Sequence, residues 1–73
     1  MKKTYKYTES KILKQIGNNI RKARLEKGLS MFELARQSRV HQATIKKIEE
    51  GTSNSSIMVL ETLTKILSIH ISV

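Results

Sequence analysis

Seventy-three residues make one small domain, and the chain has no Cys to brace it with disulfides or a Cys-ligated zinc. A chain of this size buries only about 60% of the surface its unfolded form exposes, so oligomerisation remains as a source of extra burial. Fourteen Lys and Arg against six Asp and Glu give a net charge of +8, which points to a polyanion: nucleic acid first, an anionic membrane surface second.

The charge is concentrated at the start of the chain. Residues 1–27 hold nine basic and two acidic groups, while residues 52–73 hold one of each. Residues 1–7 are polar and basic and lack helical periodicity, so they read as a flexible arm. Thr4, Tyr5, Tyr7 and Thr8 give it some strand propensity. MKKTYKYTES has no apolar run of the kind a signal peptide needs. No stretch of the chain approaches the roughly 18 apolar residues of a membrane span, so a cytoplasmic protein is expected.

Residues 8–27 read as the first helix, with Thr8 as its cap. Ile12, Leu13, Ile16, Ile20 and Ala23 fall on one face, and Gly28 stops it. Ser30 opens the second helix as N-cap, and Glu33 three residues on completes a capping-box pattern. Leu34 and Ala35 form its apolar side, and it ends near Ser38. Val40 stands alone in a turn.

A third short helix runs to Glu50 and is ended by Gly51. Ile45 and Ile48 face inward and leave Gln42, Ala43, Lys46 and Lys47 outward. Ser56 caps a fourth helix carrying Ile57, Leu60, Leu63, Ile66 and Leu67. After it the period changes: Ile69, Ile71 and Val73 alternate with Ser68, His70 and Ser72, the pattern of a strand.

Two short helices, 31–38 and 42–50, joined by a tight turn at Arg39 to His41 have the layout of a helix-turn-helix. The second helix of such a pair enters the major groove of DNA. The run GLSMFELARQSRVHQATIKKIEEGTSNSS followed by IMVLETLTKIL resembles the lambda-repressor-like, XRE-type helix-turn-helix domains over roughly residues 16–67. A narrower resemblance, carried by QATIKKIEEG, LTKILSIHISV and the Tyr-containing basic start, is to the HipB-type antitoxins. Those proteins end in a short dimerising strand and bind both their promoter and a kinase toxin.

The resemblance implies an all-α, compact four-helix domain with one short C-terminal β-strand used for dimerisation. The expected organisation is an arm at 1–7, the DNA-binding domain at 8–67 and the dimerisation strand at 68–73. It also implies that Arg24 and Glu49 pair, tying the first helix to the recognition helix. Three positions depart from the family pattern. Met31 stands where a phosphate-binding Gln is usual, Ser38 where an apolar residue is usual, and Arg39 where Gly is usual. A left-handed backbone at Arg39 would cost about 1 kcal/mol.

Gln42, Ala43 and Lys47 are the candidate base readers. A Gln at the start of a recognition helix can make two hydrogen bonds to adenine, and Ala43 can touch a thymine methyl. Ser30, Thr44, Lys46, Thr52 and Ser53 are candidates for phosphate. Leu63, Ile66, Leu67, Ile69, Ile71 and Val73 are expected at a dimer interface. No metal site, cofactor or catalytic group is expected: His41 and His70 are too few to bind a metal alone, and Glu49 and Glu50 diverge on their helix.

The leading expectation is a homodimeric repressor on an inverted-repeat DNA operator, the antitoxin of a kinase-type toxin. A stand-alone phage- or plasmid-type repressor is the alternative. A protein-interaction scaffold that binds no DNA is the alternative of another class, against which the basic first 27 residues argue.

Overall fold

The computed structural model describes residues 2–69, with side chains from Ser10 onward. It has four helices in chain order: α1 (Lys2–Glu26), α2 (Met31–Ser38), α3 (Gln42–Glu50) and α4 (Ile57–Leu67). The short helices begin and end where the caps dictate. Ser30 and Ser56 have extended backbones, and their hydroxyl oxygens accept from the amides of Glu33 (3.0 Å) and Val59 (3.3 Å). At the end of α1 the amide of Gly28 donates to the Leu25 carbonyl and that of Leu29 to the Arg24 carbonyl. This paired arrangement absorbs the last free carbonyls. Gly51 and Thr52 close α3 in the same way on Ile48 and Lys47, and Ser68 and Ile69 close α4 on Lys65 and Thr64.

The first helix is longer than the sequence pattern implies. Its backbone is helical from Lys2, so Thr8 lies inside it and is not its cap, and Thr4–Thr8 is not a strand. Strand propensity needs a neighbouring strand to act on. Extending an existing helix needs no new nucleus, and residues 2–8 contain neither Gly nor Pro to stop it.

α1 packs chiefly on α3 and also on α4, while α2 packs on α3 and α4. Between them lie Ile16, Ile20, Ala23, Leu34, Ile45, Ile48, Leu63 and Leu67. Ile20, Leu34, Ile45 and Leu63 are fully buried, each contributing about 1.5–3 kcal/mol by leaving water. Ile12, Val40, Leu60, Ile66 and Ile69 pack half-buried around them.

One expectation about α4 is corrected by its packing. Leu63 and Leu67, assigned from the sequence to a dimer interface, lie in the protomer's own core with 0% and 2% of their surface exposed. Ile57, in the first turn of the same helix, is 82% exposed.

The terminal strand is not seen among the described residues. Ser68 adopts a left-handed backbone (φ 57°), and the Ile69 amide is spent on Thr64, so both belong to the turn that ends α4. His70, Ile71, Ser72 and Val73 lie outside the described residues.

Candidate nucleic-acid interface

α3 is presented by what lies behind it. Ile45 and Ile48 anchor its inner face, with 0% and 3% exposure. Gly17 of α1 lets the two backbones touch: a Cβ there would collide with the Ile48 carbonyl oxygen and lie 2.9 Å from that of Glu49. At the C-terminal end of α3, Gly51 (φ 75°) sits on Lys14 of α1, where a Cβ would come within 2.8 Å of the Lys14 Cα. Any side chain at either glycine would push the recognition helix off α1. Gly17 escaped the sequence reading, although a single glycine within an otherwise periodic helix is the usual signal of close backbone approach.

An ion pair sets the rotation of α3. Arg24 Nε donates to Glu49 Oε2 at 2.7 Å and Nη2 to Oε1 at 3.0 Å, a two-pronged contact. The third guanidinium nitrogen, Nη1, donates to the Leu29 carbonyl at 2.9 Å, so one side chain joins α1, the link to α2, and α3. The two side chains are 8% and 2% exposed. Hydrogen bonding to the Glu49 carboxylate raises the Arg24 pKa above its ordinary value, against the opposing effect of burial.

With α3 held from behind, Gln42, Ala43, Lys46 and Lys47 are exposed on its outer side, and Thr44 is half-buried. The helix begins at His41, whose ring makes no cap hydrogen bond. The amides of Thr44 and Ile45 bond to the His41 carbonyl. Those of Gln42 and Ala43 precede the first intrahelical bonds and carry the positive end of the helix dipole.

Gln42, Ala43, Lys46 and Lys47 are thus exposed together on α3, while Ser30, Thr52 and Ser53 lie at the ends of α2 and α3 with local hydrogen bonds of their own. Ser30 Oγ caps α2 through a lone pair, which leaves its proton for another acceptor. Thr52 Oγ1 donates to the Lys47 carbonyl at 3.3 Å, and the Ser53 and Ser55 hydroxyls bond each other at 2.9 Å. These hydroxyls already brace the loop that follows α3.

Two of the three departures from the family pattern have local explanations. Met31 packs half-buried against the core. Ser38 is buried, and its hydroxyl donates to the Ala35 carbonyl (3.4 Å) while accepting from the Val40 amide (3.2 Å), so the polar atom is satisfied within the turn. Arg39 keeps the left-handed backbone at φ 61° and ψ 24°.

Among the described residues no group of three His, Cys, Asp or Glu side chains is placed to hold a metal ion, and no helix is long and apolar enough to cross a membrane. No curated protein and no solved structure matches the chain. Residues 20–73 match the helix-turn-helix family model, of the XRE type. That match spans α2, the turn, α3 and α4, the elements that hold and present the exposed Gln42–Lys47 surface. The chain therefore belongs to the XRE-type helix-turn-helix family, whose domains bind specific DNA sequences and regulate transcription.

Proposed function

We propose that the protein is a homodimeric repressor that reads an inverted repeat with one α3 in each half-site. The observation that carries this reading is the outward surface of α3. Gln42, Ala43, Lys46 and Lys47 are all exposed on a helix whose tilt is set by Gly17 and whose rotation is set by Arg24–Glu49. Gln42 and Ala43 stand at the end of the helix that meets base edges, with Lys47 a turn further on. Lys46 takes phosphate, and Ser30 offers its hydroxyl proton to another.

Dimerisation is assigned to the β-branched, period-2 segment at the C-terminus. Ile71 and Val73 pair with the same residues of a second copy, and Ile66 adds its exposed edge. The support is the sequence pattern and the end of α4 at Leu67. The antitoxin role, with a kinase-type toxin as second partner, rests on the resemblance of QATIKKIEEG and LTKILSIHISV alone.

Footprinting on a selected operator tests the dimer reading. Two protected half-sites centred about 34 Å apart are expected, one turn of DNA. Deleting residues 70–73 should leave a folded monomer by sedimentation, with a single weak half-site. Protection of one half-site by the full chain, or a truncated protein that dimerises as tightly as the whole, would overturn it.

A further inference from the structure

A second surface lies beside the recognition helix. A shallow groove of about 400 Å³ is lined by residues of α2, the turn and the start of α3, among them the apolar Ala35 and Val40, with His41 and Gln42. Phe32 also lines it and is 63% exposed, an unusual position for the chain's one phenylalanine. Arg36 and Arg39 are among its lining residues, and no acidic side chain lines it.

Arg39 adds an independent observation. It occupies a left-handed backbone that costs an L-residue free energy and that Gly would adopt without strain. Residues held in such sparsely populated conformations cluster at functional sites. The Val40 amide next to it is satisfied by Ser38, so the backbone alone does not call for an arginine.

We infer that this groove docks a segment of a partner protein that carries acidic side chains around an aliphatic or aromatic one. Charge complementarity selects the acid: two guanidinium groups with no neighbouring carboxylate in the groove form forked hydrogen bonds to Asp or Glu. Apolar complementarity selects protein over DNA. A phosphodiester edge would pair with Arg36 and Arg39 but has no apolar side chain to cover Phe32, Ala35 and Val40. Exposed aromatic and arginine side chains around a small depression are the composition of an interface hot spot. The groove holds one or two large side chains, which fits a short segment better than a broad globular face. The inference rests on neither the dimer nor the antitoxin reading.

The test is an NMR titration of the isotope-labelled full chain with three probes. One is a short synthetic peptide alternating Asp or Glu with Leu and Phe. The second is the same peptide with Ser at every Leu and Phe, and the third is a short random-sequence DNA duplex. The first peptide should shift the amides of Phe32, Arg36, Arg39 and Val40. The Ser peptide should bind about tenfold more weakly or worse, and Phe32→Ser and Arg39→Gln should each weaken the first peptide by about tenfold. Phe32→Ser should leave duplex affinity within about twofold, since it removes no charge. Equal affinity for the two peptides, or shifts spread along the basic face of α1, would reduce the effect to bulk charge and overturn the inference. Duplex DNA that shifts Phe32, with a large loss of duplex affinity in Phe32→Ser, would assign the groove to DNA and overturn it equally.

Discussion

Replacing Glu49 by Ala tests the ion pair that orients the recognition helix. The change removes both carboxylate oxygens from a guanidinium whose side chain is 8% exposed, and leaves it only the Leu29 carbonyl. Breaking a buried pair from one side costs about 3–5 kcal/mol, because the remaining charge stays out of water. An exposed pair would cost under about 1 kcal/mol. A domain of this length has a total stability of roughly 4–11 kcal/mol, so the loss is a large share of it.

In a thermal melt, about 3 kcal/mol corresponds to a drop of roughly 12–24 °C. Glu49→Gln keeps the volume and one acceptor for Arg24, and should fall between wild type and Glu49→Ala. Arg24→Met combined with Glu49→Leu removes the buried charge altogether and should recover most of the stability lost in Glu49→Ala. DNA affinity of that double variant, measured well below its melting temperature, then reports on orientation alone. A melting shift under about 4 °C for Glu49→Ala would refute the reasoning, since the pair would be behaving as a solvated one.

Gly17→Ala should destabilise by about 1–3 kcal/mol in urea unfolding, although alanine is the better helix former by about 1 kcal/mol, because its Cβ meets the Ile48 carbonyl. Asn18→Ala, an exposed change on the same helix, should be neutral or slightly stabilising and serves as the control. Arg39→Gly should raise stability by about 0.5–1 kcal/mol, the relief of a left-handed backbone less the extra freedom of the unfolded glycine. A lower melting temperature would show that the arginine side chain stabilises the turn. Gln42→Ala should cost about 1–3 kcal/mol on specific DNA and relax the preference at one base pair, as read by competition among operator variants. Lys46→Ala should weaken all sequences alike and reduce the salt slope by about 0.9.

The sequence by itself determined the helix-turn-helix. Ser30, Gly28, Gly51 and Ser56 are local signals: a short hydroxyl side chain reaches an amide three residues on, and a glycine adopts a positive φ, so the end of α1, the start of α2, the end of α3 and the start of α4 can be read from a few neighbouring residues. The spacing of Ile45 and Ile48 likewise implied the exposed side with Gln42, Ala43, Lys46 and Lys47. Tertiary structure alone decided what covers each apolar face. Periodicity shows that Leu63 and Leu67 must be buried, but not whether their own chain or a second copy buries them. Here α1 and α2 already do, while Ile57, equally apolar, is left in water. The backbone contact at Gly17, the satisfied hydroxyl of buried Ser38 and the groove beside Phe32 belong to the same class. Each depends on atoms brought together by packing of separate helices or by the three-dimensional course of the turn, and a one-dimensional pattern carries no distance between them.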